Sequence, residues 1–166
     1  MDKTSYANLA RAWEYVENHA YSRQTQALLD AREQAAQCGL AQGSAAQAQL
    51  LHTLACMMRS ISVITIGSGS LVEIVQLVDA LHGTGQLTAV DSSTQGIALI
   101  RKMFFALSDT TQTTLRAVNA PVNVFLPRLN GTDYDLIVVS GDAANYLDTF
   151  AQAPRLLREH GVIVFT

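Results

Sequence analysis

Two glycines flank a serine directly after a short apolar run. Residues 63–66 read Val-Ile-Thr-Ile, and Gly67, Ser68 and Gly69 follow them. Glycine permits a tight turn at backbone dihedral angles that other residues avoid, and it lets a ligand approach the bare backbone. The third glycine of a complete dinucleotide-binding pattern is missing, because residues 71–72 are Leu-Val. The pattern indicates a ligand-binding turn between a strand and a helix, with an ordinary strand-to-helix turn as the alternative.

A carboxylate ends the next apolar run. Residues 87–90 read Leu-Thr-Ala-Val and precede Asp91, which lies 24 residues after Gly67. An acidic side chain at the end of a second strand can accept hydrogen bonds from both ribose hydroxyls of an adenosine-containing ligand. Asp91 could instead cap the helix that follows. We favour the ribose interpretation, because the glycine turn and the carboxylate occur together at this spacing.

A third polar cluster follows the apolar residues 136–139. Ser140, Gly141 and Asp142 come directly after this run. In a parallel sheet the carboxyl end of this strand lies at the same edge as Gly67, and ligands of open α/β sheets bind at that edge. Asp142 could act as a general base, anchor a substrate hydroxyl or cap the next helix.

Short β-branched runs alternate with amphipathic stretches from residue 61 onward. This alternation predicts parallel βαβ units. The predicted strands are residues 62–66, 86–90, 113–118, 135–140 and 161–165. The predicted helices begin near Ser70, Ser93, Val122 and Ala144. We therefore expect an α/β fold with a mostly parallel sheet of about five strands and helices on both faces.

The first sixty residues are predicted to be mostly helical, since the first glycine is Gly39 and all three prolines come later. Apolar residues recur there at three- and four-residue spacing, in stripes that include Trp13 and that follow Ser44, a predicted N-cap. Such stripes are typical of core or dimer packing. We expect a single domain in which a helical extension, residues 1–60, packs on a core of residues 61–166.

Composition excludes several classes of function. The 166 residues are 49% hydrophobic and 15% charged, with a net charge of −3, and the lysines Lys3 and Lys102 lie far apart. No nucleic-acid or anionic membrane surface is therefore expected. No apolar run approaches the roughly 18 residues of a membrane span. Cys38 and Cys56 lack a CxxC spacing and are expected to be buried free thiols, which favours the cytoplasm.

Several segments occur in an order and spacing that together resemble a known family. They are residues 41–44, 66–69, 85–91, 126–129, 134–137, 156–158 and 161–164. In these segments the chain is similar to the bacterial O-methyltransferases related to catechol O-methyltransferase, which are class I enzymes dependent on S-adenosylmethionine. The match covers most of the chain. It implies the Rossmann-like class I methyltransferase fold and S-adenosylmethionine as the cofactor.

The resemblance also implies a set of site residues. It places Gly67 and Gly69 against the methionine portion of the cofactor and Asp91 against the ribose. Ser140 and Gly141 are expected beside the methyl group that is transferred. The expected cofactor-binding residues are Gly67, Ser68, Gly69, Asp91, Ser92, Ser140 and Gly141. Asp142 is the expected catalytic residue.

The chain departs from the family at the positions that carry the family's metal-binding and catalytic residues. Thr65 stands where an acidic residue usually ends the first strand. Residues 140–143 are Ser-Gly-Asp-Ala instead of Asp-Ala-Asp-Lys, so a metal-binding aspartate and the catalytic lysine are missing. The family's adenine-contacting Gly-Asp-Ala is not recognisable at residues 119–121. Since Asp142 is the one carboxylate expected at this edge and the four histidines are scattered, we expect no metal site.

Three functions are compatible with these patterns. The leading hypothesis is a metal-independent or catalytically weak O-methyltransferase that acts on a small-molecule hydroxyl through proximity and orientation. The alternative is a non-catalytic binding or regulatory module with the same fold, which the missing lysine and aspartate favour. A nicotinamide-binding Rossmann domain is the third, although the helical extension and the absent third glycine count against it.

The final apolar run, residues 162–165, is predicted to be a buried strand at an open edge of the sheet. The resembled family continues with an Asp-Asn pair of metal ligands and two further strands. An uncovered strand edge favours association. We therefore expect a homo-oligomer, or a fragment of a longer gene product.

Overall fold

The computed structural model describes residues 3–67 and 70–166. The helices are α1 (Lys3–Tyr21), α2 (Gln26–Gln37), α3 (Ala45–Met58), α4 (Leu71–Ala80), α5 (Thr94–Leu107), α6 (Val122–Phe125) and α7 (Ala144–Leu156). The strands are β1 (Ser62–Ile66), β2 (Gln86–Asp91), β3 (Thr114–Asn119), β4 (Tyr134–Val139) and β5 (Leu157–Phe165). A short 3₁₀ turn, Leu126–Arg128, continues α6.

The strands form one sheet in the order β3-β2-β1-β4-β5, and every neighbouring pair is parallel. Ile66 at the end of β1 lies in register with Val90 on one side and with Val139 on the other. The carboxyl ends of β1, β2 and β4 are therefore level with one another. The parallel five-stranded sheet confirms the fold class predicted from the alternating pattern.

Helices cover both faces of the sheet. Alternate residues of each strand point to opposite sides, so one strand contributes to the core on each face. Val63 belongs to a core cluster that includes α2, α3, α4 and α5. Ile64 and Ile66 belong to a second cluster with α6 and α7. Buried β-branched residues on both faces are the expected composition of a parallel sheet.

Helix α4 is the most deeply buried of the helices α2, α3, α4 and α5, which share one core cluster. Nine of its ten residues are buried, and they include Glu73 and Gln76. A helix that is apolar nearly all round must be covered on every side. The sheet covers α4 on one side, and α2 and α3 pack against it in the same core cluster. The helical extension therefore supports the strand-to-helix turn that precedes α4.

Helix α1 forms as predicted, but its apolar stripe is not covered within this chain. Trp13 is 64% exposed, and Tyr6, Leu9 and Val16 are exposed as well. Core packing is therefore the wrong interpretation of this stripe for the single chain. Glu17 attaches α1 to α3, since its carboxylate accepts the N–H groups of Ala45 and Ala46 at 2.7 and 2.9 Å.

Three smaller predictions have mixed outcomes. Ser44 is the N-cap of α3, as expected, and its hydroxyl accepts the N–H of Gln47. Cys38 and Cys56 are free thiols, but they are half-buried and not fully buried. None of the helices in residues 3–67 and 70–166 combines the length and the apolar composition that crossing a membrane requires.

Candidate functional site

Gly67 is the point where the ends of three strands meet. Its N–H donates to the carbonyl of Val90 at 3.0 Å, and the N–H of Ser140 donates to the carbonyl of Ile66 at 2.8 Å. Its φ of +103° lies in the left-handed region that favours glycine. A Cβ at this position would lie 2.2 Å from the Ser140 carbonyl oxygen. The absence of a side chain at Gly67 therefore permits both the turn conformation and the close packing of β1 against β4.

Ser68 and Gly69, which were expected to bind the cofactor, lie outside the described residues. The described part of the turn resumes at Ser70. The hydroxyl of Ser70 donates to the carbonyl of Gly67 at 2.7 Å, and Ser70 is fully buried. This bond closes the turn at the start of α4.

Asp91 is the last residue of β2 and is 6% exposed. Its Oδ1 accepts the N–H of Ser93 at 2.5 Å, and its Oδ2 accepts no hydrogen bond from the described residues although it is buried. The alternative role as helix N-cap belongs to Ser93, whose hydroxyl accepts the N–H of Gly96. A buried carboxylate oxygen without a donor is costly, so Asp91 fits a ligand hydroxyl at Oδ2.

The polar cluster after β4 contains one buried and two exposed residues. Ser140 is buried, whereas Gly141 and Asp142 are exposed. Gly141 has φ +81°, and a Cβ at its position would meet open space. Asp142 Oδ1 accepts the N–H of Ala144 at 2.8 Å, at the beginning of α7. The carboxylate of Asp142 thus supports the start of this helix and remains exposed beside the carboxyl end of β4.

Glu73 joins the site through the hydroxyl of Ser140. The Ser140 hydroxyl donates to Glu73 Oε2 at 2.6 Å, and the side-chain amide of Gln47 donates to Oε1. Ser140 also shares a hydrogen bond with the Thr166 hydroxyl at 2.6 Å. A carboxylate from α4 therefore links the helical extension with the carboxyl end of β4.

The loop between α2 and α3 covers the beginning of α4. Gln42 Oε1 accepts the N–H of Val72 at 3.1 Å, which satisfies one of the free donors of the first turn. The carbonyl of Gly43 accepts a hydrogen bond from Arg32 at 2.9 Å. A Cβ on Gly43 would lie 2.6 Å from the side-chain nitrogen of Gln47. A side chain at position 43 would therefore displace the end of the Gln47 side chain.

The structure brings most of the expected residues to one edge of the sheet. Gly67, Asp91 and Ser140 lie at the level ends of β1, β2 and β4, and Ser92, Gly141 and Asp142 follow these strand ends directly. Glu73 was not predicted from the sequence. The signal was present, since one carboxylate interrupts the apolar residues 71–75.

A cavity lies away from these residues, between α4 and the loops that precede β2 and β3. Its volume is about 640 Å³, and its lining includes Arg23, His52, Asp79 and His82. It contains none of the residues expected to bind a cofactor. Within residues 3–67 and 70–166, no three histidine, cysteine, aspartate or glutamate side chains are arranged to share a metal ion.

The relatives found by sequence comparison are named as O-methyltransferases. No protein-family model matches the chain. A Mycobacterium tuberculosis protein that is named as an O-methyltransferase is 31% identical to this chain over 137 residues. These residues cover 82% of this chain and 61% of that protein. The chain therefore spans about three fifths of the length of this curated relative.

Solved structures share the fold over nearly the whole chain. A Corynebacterium glutamicum protein has a TM-score of 0.80 at 22% identity and covers 93% of this chain, with 74% of its own chain matched. An O-methyltransferase from Bacillus cereus, solved in complex with S-adenosylhomocysteine, has a TM-score of 0.78 at 17% identity, with coverages of 93% and 73%. The chain accordingly has the Rossmann-like methyltransferase fold, and over most of its length it is similar to proteins named as O-methyltransferases.

Proposed function

We propose that the protein is an O-methyltransferase that uses S-adenosylmethionine. The observation that carries this proposal is the buried Oδ2 of Asp91, which has no donor among the described residues and lies at the carboxyl end of β2. A ribose hydroxyl supplies the missing donor. The similarity to O-methyltransferases, one of them bound to S-adenosylhomocysteine, supports the same ligand class.

The proposed roles of the other residues follow from their positions. By the family resemblance, Gly67, Ser68 and Gly69 would contact the methionine portion, and Ser140 and Gly141 would lie beside the methyl group that is transferred. S-adenosylmethionine, when bound, supplies an electrophilic methyl group on a sulfonium sulfur. The chain's contribution is to hold the acceptor hydroxyl in line with that methyl group, which lowers the barrier through proximity and orientation.

Asp142 is the proposed catalytic residue. Its carboxylate is exposed at the carboxyl end of β4, so it can receive the proton that a small-molecule hydroxyl loses during methyl transfer. We propose that the reaction is independent of metal. This is supported by residues 140–143, Ser-Gly-Asp-Ala, which place one carboxylate at this edge, whereas Mg²⁺ needs several oxygen ligands.

A non-catalytic binding module remains the second candidate. The observation that favours it is the hydrogen bond from the Ala144 N–H to Asp142 Oδ1, because this carboxylate already has a structural role at the start of α7. Both candidates share the cofactor pocket, a cytoplasmic location and a homo-oligomeric state. In both, residues 1–60 act as a helical extension of the core 61–166.

The experiment is a calorimetric titration of S-adenosylhomocysteine into the wild type and the Asp91→Asn variant. Asparagine keeps an oxygen for the Ser93 N–H but turns a donor toward the ribose. We expect the affinity to fall about 10- to 100-fold, the size of hydrogen bonds to a charged group. The exposed Asp109→Asn serves as the control and should bind like the wild type. An unchanged affinity in Asp91→Asn would refute the ribose assignment.

A further inference from the structure

Cys56 lies in a cluster of titratable side chains near the end of α3. Its Sγ is 3.8 Å from Nδ1 of His52, one turn earlier on the same helix, and 3.8 Å from Nε2 of His82, in the loop after α4. Nε2 of His52 is 3.1 Å from Oδ2 of Asp79. Cys56 is a free, half-buried thiol. A thiol and two imidazoles therefore meet outside the candidate cofactor site.

The hydrogen bond to Asp79 determines which nitrogen of His52 can act on the thiol. A carboxylate only accepts, so the neutral imidazole carries its hydrogen at Nε2 and leaves Nδ1 as an acceptor toward Cys56. Asp79 is thus a positioning residue for His52. The carbonyl of Ala80, 3.9 Å away, is a further acceptor for the thiol hydrogen. The thiolate is the nucleophilic form of cysteine, and an imidazole that takes the thiol proton produces it.

A cavity of about 310 Å³ opens beside Cys56. Its lining includes Arg59, Ser60 and His82, and none of the described residues that line it is an aspartate or a glutamate. Residues 59–61 connect α3 to β1, so the cavity lies at the amino end of that strand, away from the candidate cofactor site. The volume is at the lower end of the range that holds small-molecule ligands. The thiol is therefore beside a space that a small molecule can enter.

Two polar groups of this cavity lack a partner of their own. Ser60 is 5% exposed, and its hydroxyl forms no hydrogen bond with any described residue. A buried hydroxyl without a partner is costly, so this one is suited to a ligand. Arg59, which ends α3 at φ +52°, forms no ion pair with any side chain that the structure describes. Asp135, which accepts the N–H of Ile61, is itself paired with Arg158. The cavity therefore offers a hydroxyl and a guanidinium to a carboxylate.

We propose that Cys56 is a thiol-modification site, at which a low-molecular-weight disulfide that carries carboxylates forms a mixed disulfide with the chain. The Cys56 thiolate attacks one sulfur of that disulfide, a new S–S bond forms as the old one breaks, and the other half leaves as a thiolate. Cys56 is oxidised, the leaving half is reduced, and the thiol proton goes to His52. Arg59 and Ser60 bind a carboxylate of the half that stays. This modification requires neither the cofactor nor methyl transfer.

The first test compares the two cysteines of the whole chain. Cys38 is also a half-buried free thiol, whereas the thiol–imidazole contacts that the structure describes all belong to Cys56. The probe is oxidised glutathione, and peptide mapping by mass spectrometry gives the rate of adduct formation at each cysteine. Each rate is divided by that of the same cysteine in the urea-unfolded chain. We expect Cys56 to react about tenfold or more faster than Cys38 on this scale. Equal rates, or a faster Cys38, would overturn the proposal.

The second test examines the preference for carboxylates. Arg59→Gln should slow the reaction of Cys56 with oxidised glutathione about two- to fivefold, the size of an exposed charge pair, without slowing its reaction with the cationic disulfide cystamine. Arg101→Gln, at an exposed position of α5, changes the net charge equally and should react like the wild type with both disulfides. An equal loss with the two disulfides, or no loss with either, would overturn the assignment of a carboxylate-bearing ligand.

The third test addresses the imidazole. His52→Gln should slow Cys56 about threefold or more with both disulfides alike, because His82 is then the remaining imidazole acceptor. His19→Gln, at an exposed position of α1, is the matched control and should react like the wild type. Circular dichroism verifies that each variant is folded. If His52→Gln does not fold, the comparison of the two cysteines in the wild type decides alone. An unchanged rate in folded His52→Gln would contradict proton transfer to His52.

Discussion

The Cβ direction of Gly67 points at the carbonyl oxygen of Ser140, and a Cβ there would lie 2.2 Å from that oxygen. The contact joins the turn after β1 to the end of β4 through backbone atoms, which cannot move aside as a flexible side chain can. Because the φ of Gly67 is also +103°, two independent constraints require glycine at this position.

We therefore expect Gly67→Ala to lower the free energy of unfolding by ~3 kcal/mol, from strain and overpacking together. Gly39→Ala is the matched control, since Gly39 has φ +69° but open space around its Cβ position. It should cost ~1 kcal/mol, from the backbone conformation alone. Urea denaturation measures both. Equal losses in the two variants would show that the contact with Ser140 is unimportant.

Glu17 makes the attachment of α1 dependent on pH. Burial raises the pKa of its carboxyl, but the hydrogen bonds from the N–H groups of Ala46 and Ala45 outweigh burial and hold the pKa below its usual 4.5. A carboxyl with a lowered folded-state pKa stabilises the fold above the unfolded value, and this contribution is lost as the pH falls through the folded value. Acidification below pH 4.5 should therefore weaken the contact between α1 and α3.

Glu17→Gln should reduce the free energy of unfolding at neutral pH by ~1 kcal/mol, the usual effect of losing a helix cap. The variant should also lose less stability than the wild type between neutral and acidic pH, because its side chain does not titrate. Glu14→Gln, exposed on the same helix, should follow the wild-type pH dependence. Denaturation curves at the two pH values measure the difference. Identical pH dependence of wild type and Glu17→Gln would contradict the role of this carboxylate.

Binding at the candidate site should not depend on divalent metal. Asp142 is exposed, and its Oδ1 already accepts the Ala144 N–H, so the edge offers a poor set of ligands for Mg²⁺. We expect the affinity for S-adenosylhomocysteine to be the same with EDTA and with added Mg²⁺. The rate of methyl transfer to an identified acceptor should likewise be the same under both conditions. Activity that disappears with the chelator and returns with the metal would refute metal independence.

We also expect the chain to self-associate. Strand β5 is an edge of the sheet, and Leu147 and Phe150 on the neighbouring α7 are 82% and 64% exposed. Exposed strand edges and apolar patches favour association. Light scattering should give a mass above 17.9 kDa, and Phe150→Lys or Trp13→Lys should identify which face is used. A particle of 17.9 kDa at every concentration would contradict the expectation.

Element types and most boundaries could be predicted from the sequence, because β-branched runs and helical stripes report burial directly. Strand β4 was expected at residues 135–140 and lies at Tyr134–Val139. The beginning of β5 was missed by four residues. Leu157 already pairs with Tyr134, but the left-handed His160 shifts the register before Val162 pairs with Leu136. Such an irregularity depends on the neighbouring strand, which a periodicity in one segment does not report.

The candidate site could be predicted only in part. The glycine turn and Asp91 were found because each follows a strand in the sequence. The network around Glu73 was not, since its partners Gln47 and Ser140 are 26 and 67 residues away along the chain. The identity of the α5 N-cap also needed the structure, because the capping hydroxyl comes from Ser93, two residues after Asp91. Contacts between distant segments are set by the packing of whole elements.

The most direct measurement of the central claim is a parallel calorimetric titration of the wild type with S-adenosylhomocysteine and with NAD. Both ligands carry an adenosine ribose that Asp91 could hold, but NAD lacks the methionyl portion expected at Gly67 and Ser140. We expect S-adenosylhomocysteine to bind saturably at one site per chain and NAD to give no binding heat. Binding of NAD without binding of S-adenosylhomocysteine would contradict the assignment of this fold to a methyl-donor cofactor.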